Sequence, residues 1–99
     1  MNENSYGLKD SLIEEIVAIA ERCDVDKLVL FGSRARGDYK EKSDIDLAFW
    51  GRRAAEFILD IEEETNTLLQ FDMVDMNRPV QEELRESIHK EGIVLYEKI

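Results

Sequence analysis

The chain has 99 residues, enough for one hydrophobic core and too few for two. Thirteen Lys and Arg against 23 Asp and Glu give a net charge of -10, a field that repels polyanions and argues against general nucleic-acid binding. An apolar content of 43% argues against a disordered chain, the single Cys23 excludes an internal disulfide, and no apolar run comes near the ~20 residues that span a membrane. With no secretory-type start, the expected compartment is cytoplasmic.

Residues 8–23 carry Leu8, Leu12, Ile13, Ile16, Val17, Ile19, Ala20 and Cys23 at three- and four-residue steps, which predicts an amphipathic helix. Residues 27–32 (KLVLFG) are apolar from Leu28 to Phe31 and end in glycine, the pattern of a central strand buried on both sides. Residues 33–43 are polar and predict a turn or short helix followed by a loop. In residues 44–50 (DIDLAFW), Asp44, Asp46 and Ala48 alternate with Ile45, Leu47 and Phe49, so a second strand is predicted.

Gly51 closes that strand. Ala54, Phe57, Ile58, Ile61 and Leu68 then mark a helix whose other face holds Glu62, Glu63 and Glu64. Residues 71–76 alternate again, with Asp72, Val74 and Met76 on one side and Phe71, Met73 and Asp75 on the other. Pro79 is expected at the first position of a last helix, with Val80, Leu84 and Ile88 as its apolar line and Gly92 as its stop. Residues 93–96 predict a short final strand. The sum is one α/β (α+β) domain over residues 1–99.

The pattern with chemical content is Gly32-Ser33, ten intervening residues, then Asp44-Ile45-Asp46. A glycine at a strand end lets backbone approach a ligand, and a serine there offers a hydroxyl and an N–H, features suited to phosphate. Two aspartates two apart on a strand project from one face, roughly 7 Å apart at ~3.3 Å per residue. Joined by Asp72, they concentrate negative charge that Mg²⁺ would relieve while binding substrate phosphate oxygens. Two such ions ~3.5–4 Å apart can clamp the attacking and leaving oxygens of a phosphoryl displacement.

On these residues, GSRARGDYKEKSDIDLAFW resembles the minimal nucleotidyltransferases (MNT domains) of the DNA polymerase beta-like superfamily, and the ending HKEGIVLYEKI resembles theirs too. The likeness covers about residues 8–97. It implies a nucleotidyltransferase fold, a small mixed β-sheet flanked by helices, with ATP as substrate and two Mg²⁺ ions. By position it implies Gly32 and Ser33 at the terminal phosphates, Arg34 and Arg36 neutralising triphosphate charge, and Asp44, Asp46 and Asp72 as metal ligands. Asp72 would also orient or accept the proton of the attacking hydroxyl, with Asp75 as second choice for the third carboxylate.

MNT proteins resembling this chain are paired with HEPN ribonuclease toxins. The pairing implies an antitoxin that transfers AMP to a partner tyrosine, within a possible homo- or hetero-oligomer. The alternatives are a module that neutralises its partner by binding alone, and a transferase acting on a small hydroxylated molecule. Other residues read as structural: His89 complements a helix end, Cys23 is a small core hydrophobe, and Tyr39 and Trp50 are packing aromatics.

Overall fold

The structure, a computed structural model, describes residues 6–99. Its elements are α1 (Asp10–Arg22), β1 (Val25–Phe31), α2 (Ser33–Arg36), β2 (Ile45–Gly51), α3 (Ala54–Glu64), β3 (Phe71–Asp75), α4 (Glu82–Glu91) and β4 (Ile93–Glu97). The four strands form one sheet in the order β3-β2-β1-β4. β1 runs antiparallel to both β2 and β4, whereas β2 and β3 are parallel. A parallel pair cannot be closed by a tight turn, and α3 supplies the crossover.

The continuous apolar run of β1 is explained by burial on both faces. Leu28 and Leu30 join Ile45, Leu47 and Phe49 beneath Leu12, Ile16 and Ile19 of α1 and Phe57 and Ile61 of α3. Val29 and Phe31 face the other way, with Ala48 of β2 and Ile88 of α4. The sheet is thus sandwiched between an α1/α3 layer and α4, and the period of two in β2 and β3 sorts their side chains between these layers.

Two predicted boundaries shift. α4 begins at Glu82, not at Pro79, because Gln81 is extended (φ -56°, ψ 140°) and Glu82 and Glu83 supply the acidic first turn that complements the helix dipole. α3 ends at Glu64, where Thr65 turns extended and its hydroxyl donates to the Ile61 carbonyl at 2.7 Å. Leu68 therefore lies in the following loop, fully exposed, instead of on the helix stripe. The stretch predicted as a turn or short helix contains the one-turn α2.

Candidate active site

At one end of the sheet Phe31 is the register partner of Asp46, and Asp46 is the partner of Asp72. The row places the turn after β1 beside two carboxylates on adjacent strands. Asp46 and Asp72 share strand parity with Ala48 and Val74, which pack on the α4 side of the sheet. Asp44 stands one residue before β2, exposed, two positions ahead of Asp46. Asp75 has the opposite parity; it accepts the Asn77 amide at 3.0 Å and lies 3.5 Å from Arg78, so it serves the turn after β3.

Gly32 is required by its surroundings. Its φ of +78° is unfavourable for residues with a side chain, and a Cβ there would overlap the Asp46 carboxylate. The Gly32 carbonyl accepts the Ala35 and Arg36 amides at 3.1 and 3.0 Å, which starts α2 with Ser33 as its first residue. An amide at that position has no intrahelical acceptor. Gly37, left-handed at φ 97°, ends the turn by donating to the Ser33 carbonyl at 2.8 Å.

The electrostatics single out Asp46. Burial, then the neighbouring Asp72 and Asp44 carboxylates, push its pKa up to about 6, against weaker opposing effects of Arg36 and Arg34. Among the described residues none of the three carboxylates is ion-paired. Charge without an ion-pair partner and oxygen donors suit a hard divalent cation, and the missing Cβ at Gly32 lets the Asp46 carboxylate lie directly against the turn after β1.

The two arginines part ways. A step of two residues in a helix turns side chains about 200° apart. Arg36 is exposed and pairs with Asp38 at 3.3 Å and with Glu91, the last residue of α4, at 3.1 Å. It remains available for exchange with an anion. Arg34 is 1% exposed and donates only to backbone carbonyls: Nε to Ser43, Nη1 to Tyr6 and Gly7, and Nη2 to Glu41 and Ser43. With all five donors spent, Arg34 is a structural group and not the phosphate contact expected from sequence. The two-residue spacing within a single helical turn sets the two arginines on opposite sides, and the carbonyls of residues distant in the chain decide which one is buried.

Two other features lie apart from the trio. A cavity of about 820 Å³ is lined by residues such as Tyr39, Glu41, Asn66 and Leu68 and by none of the three carboxylates. Among the described residues, Cys23, Glu56 and Asp60 bring potential ligand atoms within 4.8 Å of one another, closer than Asp44, Asp46 and Asp72 do. That cluster is already neutralised, by Arg22 on Asp60 at 2.9 Å and Arg53 on Glu56 at 2.5 Å. Burial raises the Cys23 thiol, helped by its hydrogen bond to Asp60, which disfavours the thiolate a metal would need.

The chain is 33% identical over 81 residues to a chain of Methanocaldococcus jannaschii provisionally named protein adenylyltransferase MJ0604, covering 73% of this chain and 79% of that one. In structure it is similar to a toxin-antitoxin crystallised with AMP-PNP, at TM-score 0.66 and 20% identity, over 87% of this chain and 73% of the other. It is also similar to the toxin-antitoxin MntA-HpeT carrying a double Asp-to-Glu mutation, at TM-score 0.63 and 17% identity over the same shares. Residues 14–99, which include every element that builds the acidic turn, match the family described as Polymerase beta, Nucleotidyltransferase, and the chain belongs to that family.

Proposed function

We propose that this nucleotidyltransferase is an antitoxin that moves AMP from ATP onto a tyrosine hydroxyl of a HEPN-type ribonuclease partner. The observation that carries the reading is the row of Gly32, Asp46 and Asp72 at the sheet end, which sets the turn carrying Ser33 directly against carboxylates without an ion-pair partner among the described residues. Similarity to solved toxin-antitoxin proteins, one with a nucleotide analogue, and to a chain named as a protein adenylyltransferase supports the partner and the transferred group.

In this reading Ser33 holds the terminal phosphates through its hydroxyl and its helix-leading amide. Asp44, Asp46 and Asp72 would hold Mg²⁺, one ion or two, which supplies Lewis-acid stabilisation of the phosphoryl oxygens when bound. Asp72 orients the acceptor hydroxyl and takes its proton as the oxygen attacks the α-phosphorus. A new O–P bond forms, the α–β phosphoanhydride bond breaks, and pyrophosphate leaves. Arg36, released from Glu91 and Asp38, supplies positive charge to the departing group.

The test incubates the partner with a small fraction of this chain, ATP and Mg²⁺, and follows the partner's intact mass and ribonuclease activity. Addition of AMP with loss of activity below one equivalent is expected, and neither with Asp44→Asn. Inhibition only at equal stoichiometry, without added mass, would assign the chain to neutralisation by binding; AMP found on a small hydroxylated compound alone would assign it to the small-molecule class.

A further inference from the structure

We infer that Arg34 is a positioning residue for Asp44, acting through the Ser43 carbonyl. The inference rests on the transferase reading of the acidic trio and deepens it by naming what holds its most exposed member in place. Asp44 lies outside β2, so the ladder that fixes Asp46 against Asp72 does not extend to it. The loop before it has its own bonds between Lys40 and Ser43: the Ser43 amide to the Lys40 carbonyl at 3.0 Å and the Lys40 amide to the Ser43 hydroxyl at 2.8 Å. These shape the loop locally. Anchorage to α2 comes from Arg34.

Two guanidinium donors, Nε at 3.1 Å and Nη2 at 3.0 Å, converge on the Ser43 carbonyl. That carbonyl belongs to the peptide bond joining Ser43 to Asp44, so a planar fork holding it from two directions fixes the peptide plane and hence the direction in which Asp44 leaves it. Nη2 also takes the Glu41 carbonyl at 3.0 Å, and Nη1 ties in Tyr6 and Gly7 at 2.9 and 3.2 Å. The Tyr39 ring lies 4.9 Å from the guanidinium carbon and closes the same site against Gly7, where a Cβ would overlap that ring. A buried cation surrounded by carbonyls has no low-energy alternative arrangement, since withdrawing any one carbonyl strands a donor. The same one-turn helix therefore offers Ser33 to the phosphates at its start and secures Asp44 through its second residue.

Lysine at position 34 keeps the charge but cannot present two coplanar donors to one carbonyl. The experiment compares wild type, Arg34→Lys, Asp44→Asn and the double variant. It reads Mn²⁺-ATP affinity by calorimetry, backbone hydrogen exchange of the peptide spanning residues 38–44, and exchange protection of β1 and β2 as a check on the fold. Arg34→Lys is expected to speed exchange in 38–44 with the strands still protected, and to weaken Mn²⁺-ATP about tenfold, the scale of losing a group that orients a ligand. In the Asp44→Asn background it should weaken binding no further. An equal loss in both backgrounds, or unchanged exchange in 38–44, overturns the inference.

If wild type binds no Mn²⁺-ATP, the transferase reading fails, while the exchange measurement still decides whether Arg34 holds the segment before Asp44. Should Arg34→Lys not fold, Tyr39→Leu serves instead: it removes the ring from the guanidinium and leaves the carbonyl bonds, and a smaller change in the same two readouts is expected. No change with a folded Tyr39→Leu protein would then count against the inference.

Discussion

Gly32 and Asp46 occupy one space: the hydrogen on the glycine α-carbon points where the aspartate carboxylate stands, and any side chain would have to displace it. The sharp turn after β1 and the placement of the carboxylate are therefore one feature. Gly32→Ala is expected to lower stability by roughly 1–3 kcal/mol for the backbone alone, since φ 78° with ψ -156° is a conformation essentially confined to glycine. Because the methyl also displaces Asp46, turnover should fall at least about a hundredfold, the usual penalty for misplacing a reacting group by an ångström. Urea unfolding and initial rates on the same preparations separate the two effects.

Asp46 should cost the protein stability when no metal is present. Its pKa is near 6 in the folded chain, pushed up from 3.8 by burial and by Asp72 and Asp44. The folded state then binds more protons than the unfolded one between those values, so this contribution to stability is complete below about pH 4 and is lost as pH rises through about 6. Asp46→Asn in chelator at pH 7.5 should unfold several °C above wild type, an effect on the order of 1 kcal/mol after solvent screening, while losing transferase activity. Equal melting temperatures at pH 4 and divergence above pH 6 are the expected melting profile.

ATP and the acidic trio repel one another without a cation. Calorimetric titration with ATP is expected to show binding with Mg²⁺ or Mn²⁺ and a large loss in chelator. Affinity unaffected by chelation would remove the metal from the site.

The shared core under α1 and α3 rests on an aromatic contact. Phe57 is fully buried and meets Phe49 edge-on, with ring centres 5.1 Å apart at 65°. Phe57→Ala is expected to cost about 3–5 kcal/mol, a large part of the stability of a domain of this size, measurable as a drop in the urea midpoint.

Much of this architecture was legible from residue alternation. Asp46 and Asp72 were placed on one face by counting in twos, and β2 and β3 keep that parity. Gly32-Ser33 fell at the turn for which glycine and serine are suited. What escaped depended on contacts distant in sequence. Arg34 looks identical to Arg36 in a list of charges, and only the folded loop shows that four backbone carbonyls converge on one of them. Pro79 suggested a helix start, but an extended Gln81 and the acidic pair after it place the first turn later. Leu68 fitted a helical step on paper because apolar spacing carries no information on where Thr65 would break the helix.

The pairing of β4 with β1 joins Lys27 to Glu97 and Leu30 to Ile93, segments separated by most of the chain. During synthesis β1 must wait, one edge uncovered, until β4 has been made. A nascent chain stopped before Ile93 would carry the acidic turn and its three carboxylates yet expose the backbone of β1 along one side, a surface that recruits other strands. Pairing of β4, and not assembly of the acidic turn, is thus the step that covers the second edge of β1.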